Sequence, residues 1–400
     1  MKKIVVIGAG ISVDTLTFEA RNAINNAGVL AGAQRMLDLV SGLYNSAPKR
    51  LYPYYLPNEI LDMIVTEETE RFAVLVSGDV GFFSAAAGLA DALSAYDVSF
   101  IPGVSTVNAF FARLKLSWHD VAFVSAHGRE TDIVGCVRRN RLTFCLTGSN
   151  VNELGAKLTQ SGFGLIKTYV GENLGTEQER VYEAIAEDLE RGEFPSLTVL
   201  LFQNEEFDDT TPTGLPDSGF LRLEGIPMTK SETRSLVMSK LNLKPDAICY
   251  DVGAGTGSVT IEMALSAYRG HVYAVERRKE AIHLVNRNRE TFRLGNVSAI
   301  CGEAPGALEP LPAPDAVFIG GSGGELGSII KAVLDKKANT RIVITAVTIE
   351  TVSMALAAFK DTGLDPEITQ MNVSRGKRVG GLHMMEAQNP ITILSAGGKP

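Results

Sequence analysis

Short unbroken apolar runs alternate along the chain with stretches in which apolar residues recur every three or four positions. A run bounded by turn formers reads as a strand covered on both faces, and the helical spacing reads as a helix lying against it. In the first half the runs predict strands at 4–7, from 72 to the turn Ser77-Gly78-Asp79, and at 98–101, 121–125, 142–146, 165–170 and 197–202. Residues 29–31 are also strand-like. Helices are expected at 16–27, 57–70, from Phe82 onward, and at 107–114, 151–160 and 185–190. The second half predicts seven strands, at 247–252, 271–275, 297–301, 316–319, 342–345, 367–372 and 390–394, with helices after Gly257 and at 279–294, 326–334 and 349–362. A capping box, Thr229 with Glu232, is expected to open one more helix there. Residues 205–218 are polar and rich in turn formers, which marks a joint between two α/β parts.

The stretch with the clearest chemistry is 247–265. A strand runs into Gly253-Ala254-Gly255-Thr256-Gly257 and then into a helix. Glycines let a backbone approach a ligand with no Cβ in the way, and a helix N-terminus offers unpaired N–H groups. The next strand ends at Glu276, about 20 residues on, where a carboxylate can take the hydroxyls of a ribose. The spacing is G-x-G-x-G preceded by Asp251, not G-x-G-x-x-G. It points to the adenosyl group of S-adenosylmethionine, with Asp251 available to the amino-acid part through water or loop amides. The alternative is a glycine turn with an unrelated acid downstream. Gly8-Ala9-Gly10 near the start looks like a dinucleotide turn, but Val13 stands where a third glycine belongs and 29–31 carries no acid.

Other positions keep two readings each. Asp79 either faces a ligand crevice at a strand end or caps a helix. Ser105 or Thr106 caps the helix at 107–114. His127 is either an acid–base group or the maker of structural hydrogen bonds. Phe318-Ile319-Gly320-Gly321-Ser322-Gly323-Gly324 leaves room beside a strand end for something bulky, or is a flexible loop. Arg375, Lys377, Arg378 and His383 form a local basic cluster, either a solvated face or a grip on ligand carboxylates.

Charge narrows the field. The 400 residues carry a net charge of −8, which argues against a broad nucleic-acid footprint. The four cysteines show no C-x-x-C or metal-ligand spacing, so reduced thiols in a cytoplasmic protein and no metal are expected. No run approaches the ~18 apolar residues of a membrane span. With a strand expected from residue 4, no signal peptide is expected.

The first half resembles the tetrapyrrole methylase family. The resemblance rests on Gly8-Ala9-Gly10, Ser77-Gly78-Asp79-Val80-Gly81-Phe82, Ile101-Pro102-Gly103-Val104-Ser105, Ser125-Ala126-His127-Gly128-Arg129, Leu146-Thr147-Gly148-Ser149 and Gly171-Glu172-Asn173-Leu174-Gly175 with Glu179-Arg180. Ile11-Ser12 and Val80 stand where that family usually has Pro-Gly and Pro. The second half, through Met228-Thr229-Lys230, the glycine turn from Asp251 to Ser258, Val275-Glu276-Arg277, Gly302-Glu303-Ala304-Pro305 and the 318–324 loop, resembles the C-terminal half of the precorrin-6Y C5,15-methyltransferase (decarboxylating) family. The order of the halves and the total length resemble that family too.

The resemblance implies a tetrapyrrole methylase fold of two α/β subdomains (1–207, divided near 116), a linker (208–224) and a Rossmann-like, seven-stranded class I methyltransferase domain (225–400). It implies S-adenosylmethionine held by Gly8, Gly10, Asp79, Phe82, Ser105, Thr106, His127 and Thr147 in one half. In the other half the cofactor residues would be Thr229, Asp251, Gly253, Gly255, Thr256, Gly257, Glu276, Glu303, Ala304, Gly320 and Gly321. Glu303, Ser322 and His383 would lie near the reacting ring, and Arg375, Lys377 and Arg378 would hold its carboxylates. The implied reaction methylates a corrin precursor at carbons 5 and 15 and decarboxylates its ring-C acetate in cobalamin synthesis, by a homo-oligomer. The first half would serve carbon 5. Rival readings are an RNA or protein methyltransferase and a sensor that only binds an adenosyl ligand.

Overall fold

The computed structural model describes residues 2–43, 49–128 and 131–398. Arg129, part of one motif above, lies outside the described residues. The chain divides into two compact units, Met1–Thr131 with Leu142–Asn152 and Lys167–Gln203, and Asp132–Arg141 with Glu153–Ile166 and Asn204–Pro400.

The first unit opens with β1 (Lys3–Gly8), α1 (Phe18–Asn26), β2 (Val29–Gly32), α2 (Gln34–Val40), β3 (Arg50–Tyr52), α3 (Pro57–Thr66), β4 (Arg71–Val76), α4 (Ala86–Ala92), β5 (Asp97–Ile101) and α5 (Thr106–Leu114). Its first sheet has the order β3-β2-β4-β1-β5 and is parallel throughout. Both faces are covered, and the two-residue period sorts the side chains between them. Ile4, Val6, Phe72 and Val74 enter one core; Ile7, Ala73 and Leu75 enter the other. The helix expected from Phe82 begins only at Ala86. Phe82 and Phe83 stay in the loop, with Phe83 in the left-handed region at φ +46°. The helix expected to reach 70 stops at Thr66, where the backbone turns extended at Glu67.

The unit continues with β6 (Val121–Ser125), α6 (Ile133–Arg139), β7 (Leu142–Leu146), α7 (Val151–Gln160), β8 (Lys167–Glu172), β9 (Arg180–Ile185) and β10 (Thr198–Gln203), although α6 and most of α7 group with the second unit. The second sheet has the order β6-β7-β10-β8-β9. β8 runs two residues past the expected end, through Gly171 and the buried Glu172. Gly171 is accommodated because a Cβ there would lie 2.6 Å from the Phe110 ring. Glu172 is satisfied by the Tyr182 hydroxyl at 2.8 Å and by Arg180 at 3.4 Å. The expected helix at 185–190 is a 3-10 turn, Ala186–Glu190, that ends the unforeseen β9.

The second unit adds α8 (Ser231–Leu241), β11 (Ile248–Val252), α9 (Ser258–Ser266), β12 (His271–Glu276), α10 (Lys279–Thr291), β13 (Val297–Cys301), β14 (Ala316–Ile319), α11 (Leu326–Lys336), β15 (Arg341–Ala346), α12 (Ile349–Asp361), β16 (Glu367–Met371), β17 (Ser374–Val379), β18 (Leu382–Ala387) and β19 (Ile391–Ala396). Seven strands form one sheet in the order β13-β12-β11-β14-β15-β19-β16, in which β19 alone runs opposite to the other six. β17 and β18 form a separate, largely exposed hairpin where the sequence suggested only a basic cluster. The order reverses between β11 and β14, the switch point at which open α/β sheets bind ligands.

The capping box expected from Thr229 and Glu232 does not form. The N-cap of α8 is Lys230, without a side-chain cap bond. Asp217 accepts from the Ser231 N–H at 3.0 Å in its place, and Glu232 turns outward to Arg375. Among the described residues no helix is long and apolar enough to cross a membrane.

Candidate active site

At the switch point of the second unit, β11 ends in three glycines with positive φ, Gly253, Gly255 and Gly257. A Cβ on Gly253 would fall 2.6–2.8 Å from the backbone of Gly321, and one on Gly255 would fall 2.6 Å from the Pro227 carbonyl oxygen. The loops after β11 and β14 therefore touch backbone to backbone, which only glycine permits there. Glu276, at the end of β12, is 7% exposed. Its carboxylate accepts from Gly255 N and Arg278 N, each at 3.1 Å. Each oxygen keeps a further lone pair for a ligand.

These elements wall a cleft of ≈ 270 Å³. Of the residues singled out from sequence, Thr229, Gly253, Gly255, Glu276, Glu303, Ala304, Gly320, Gly321 and Ser322 line it. Asp251, Thr256 and Gly257 stand behind its wall. Asp251 is fully buried, bonded through one oxygen to the Thr260 hydroxyl, and makes no bond through the other. Burial pushes its pKa up to about 7, against the lowering effect of Thr260. The buried Thr256 hydroxyl likewise makes no bond.

Arg277, Arg278 and Glu325 also line the cleft and were not anticipated. For the two arginines the signal was present, since they directly follow the strand-end carboxylate. Lys377, Arg378 and His383 sit on the exposed hairpin and do not line the cleft. Arg375 is committed elsewhere, to Glu232 (Nε–Oε1 3.1 Å) and Asp217 (3.3 Å).

In the first unit the strand ends of β1, β4 and β5 meet around Gly8, Gly78 and Gly103. A Cβ on Gly103 would lie 2.3 Å from both the Gly78 and Gly8 carbonyl oxygens. Gly10 and Gly78 exchange backbone bonds of 3.1 and 3.0 Å. Above this glycine floor is a cleft of ≈ 680 Å³, lined by Asp79, Phe82, Ser105, Thr106, His127 and Thr147 of the expected set. Gly8 and Gly10 are not in its wall. Asp79 caps no helix: its two oxygens accept from Gly81 N at 2.8 Å and Gly103 N at 3.1 Å, so it braces the loop. Ser105 is the cap of α5.

His127 Nδ1 lies 3.3 Å from the Thr147 carbonyl oxygen, and the Thr147 hydroxyl donates to the Thr198 carbonyl at 2.7 Å. The histidine thus makes a structural bond while its ring stays exposed to the cleft. Arg35 and Phe83 line the same cleft. No sequence signal placed Arg35 there, because α2, which carries it, was not foreseen.

Glycine-floored clefts at parallel strand ends, one in each unit, define a bipartite α/β methyltransferase. Residues 3–190 match the family described as tetrapyrrole (corrin/porphyrin) methylases, and residues 223–397 match the precorrin methyltransferase domain. A precorrin-6Y C(5,15)-methyltransferase [decarboxylating] from Sinorhizobium sp. is 31% identical across 98% of this chain and 95% of its own length. A probable cobalt-precorrin-6B C(15)-methyltransferase (decarboxylating) from Pyrobaculum calidifontis is 45% identical over 46% of this chain and 95% of its own. A crystal structure of a precorrin-6y C5,15-methyltransferase from Geobacter metallireducens covers 47% of this chain and 97% of its own, at 37% identity and a TM-score of 0.44. The chain belongs to the precorrin-6Y C5,15-methyltransferase (decarboxylating) family.

Proposed function

We propose that the chain uses S-adenosylmethionine to methylate a corrin precursor of the precorrin-6B or cobalt-precorrin-6B type at carbons 5 and 15, and removes the carboxylate of the ring-C acetate. The first unit serves carbon 5; the second serves carbon 15 and the decarboxylation. The protein acts in cobalamin synthesis, in the cytoplasm, as a homo-oligomer.

The observation that carries this reading is Glu276, a nearly buried carboxylate bonded to Gly255 at the switch point of a parallel sheet. The residues fit an adenosyl ligand. Gly253 and Gly255 leave the approach free of side chains, Glu276 can accept from both ribose hydroxyls, and Asp251, behind the wall, keeps one oxygen without a hydrogen bond.

The bound cofactor supplies a methyl already activated by its sulfonium. What remains for the chain is alignment, which can supply about 7–11 kcal/mol of the barrier. Glu276 and the glycine turn fix the donor. Ser322 and Glu303, on the walls after β14 and β13, line the same cleft, and in this reading they lie on the acceptor side.

Mass spectrometry of the product formed by the full chain tests the proposal. The unaltered chain should add two methyl groups and release CO₂. Glu276→Ala should keep one methyl addition and lose the other together with CO₂ release. Absence of methyl transfer by the unaltered chain, or transfer to RNA or protein in its place, would sink the reading.

A further inference from the structure

The cleft of the first unit carries a cation that the functional reading has not used. Arg35 stands in the first turn of α2, and its Nη2 donates to the Ser77 hydroxyl at 2.9 Å. Among the described residues no carboxylate pairs with it. The acid in the same wall, Asp79, has both oxygens engaged by Gly81 and Gly103. In a chain of net charge −8, an arginine left without an acid at a cleft is a specific place for an anion.

The same cleft exposes an aromatic ring. Phe83 is 48% exposed and sits at φ +46°, a backbone region that strains an L residue. Its ring packs edge-on to Phe82 (centroids 4.9 Å, 77°), and Phe82 packs in turn on Phe123 (5.4 Å). A strained, exposed ring braced by its neighbours is a surface held ready for an apolar face.

We propose that Arg35 and Phe83 form the acceptor subsite of the first cleft, which takes a flat conjugated macrocycle by one ring face and one peripheral carboxylate. Phe83 contacts the ring; Arg35 takes the carboxylate with paired N–H donors while Ser77 holds the guanidinium in place. The subsite deepens the functional reading above and rests on it.

The test compares the unaltered full chain with Arg35→Ala, Arg35→Lys and Phe83→Ala. Arg35→Ala should raise the corrinoid KM for the first unit's methyl transfer on the order of tenfold, the size of one lost charged contact. Arg35→Lys should recover part of that loss, since it restores charge without the fork. Phe83→Ala should raise the same KM. Binding of S-adenosylhomocysteine, the second methyl addition and CO₂ release should stay as in the unaltered chain, which also shows that the variants are folded. An unchanged KM in Arg35→Ala and Phe83→Ala overturns the subsite while leaving the functional reading intact. So does a fall in S-adenosylhomocysteine affinity in Arg35→Ala, which would move the residue to the donor side. An unaltered chain that does not methylate the corrinoid overturns the functional reading and the subsite with it.

Discussion

At the residue scale, Asp251 shows how burial turns one side chain into a pH-dependent load. In the folded chain it keeps its proton to about pH 7. In an unfolded chain an aspartate loses it near pH ~4. Between those values the folded state binds the extra proton, so this contribution to stability is full below about pH 4, declines as pH rises, and is gone above about pH 7. Asp251→Asn, which cannot ionise, should flatten that slope, an effect of a few kcal/mol at most between the ends. Urea midpoints measured across pH 4–8 for both chains check it; parallel profiles would show that Asp251 is ionised in the folded state.

At the element scale, one buried arginine ties residues 214–217 to the helices of the methyltransferase sheet. Arg234 on α8 is fully buried. It pairs with the equally buried Glu262 on α9 at 2.8 Å and with Asp217 at 3.0 Å, and it also donates to the carbonyls of Leu215 and Thr229. Glu262 accepts from Gly214 N and Leu215 N, both at 2.9 Å. Residues 214–217 are thus an ordered strap.

Removing Arg234 leaves the buried Glu262 without a counter-charge, while Asp217 keeps Arg375, so Arg234→Ala should cost about 3–5 kcal/mol, whereas replacing both Arg234 and Glu262 by apolar residues of similar volume should cost far less. Denaturant midpoints of the two variants decide this. Arg375, partly exposed on the hairpin, belongs to the weak kind of pair. Arg375→Ala should change the midpoint by less than about 1 kcal/mol but quicken proteolytic cleavage within 374–387, because it removes a tie between that hairpin and α8.

At the scale of the whole molecule, two clefts make a stoichiometric prediction. Calorimetry should find two S-adenosylhomocysteine sites per chain. Gly253→Ala should abolish one and spare the other, because its Cβ would enter the Gly321 backbone while the first unit is untouched. A single site in the unaltered chain would contradict the assignment of a donor to each unit.

Much of this was legible in the residues themselves. The run 247–252, the glycines after it and the acid at 276 needed only local pattern; the strand forms over Ile248–Val252 and the next one ends at Glu276. The misses have physical causes as well. β9 is mostly half-buried and the β17–β18 hairpin mostly exposed, and polar residues interrupt all three strands, so no apolar run announces them. α2 was hidden because its apolar face spans only two turns. The capping box failed because Arg375, from far along the chain, competes for Glu232.

By itself the sequence determined the alternation of strand and helix, the positions of the glycine turns and the acid that follows one of them. These depend on neighbours a few positions away, where side-chain period and backbone freedom act directly. Only the tertiary structure decided which distant groups meet: Gly253 with Gly321, Arg234 with Glu262, Arg375 with Asp217, and Arg35 with the cleft wall. Hydrogen bonding and charge pairing act over a few ångströms in space, and closing the long intervening loops adds little extra cost per residue, so chain separation says almost nothing about who becomes whose partner.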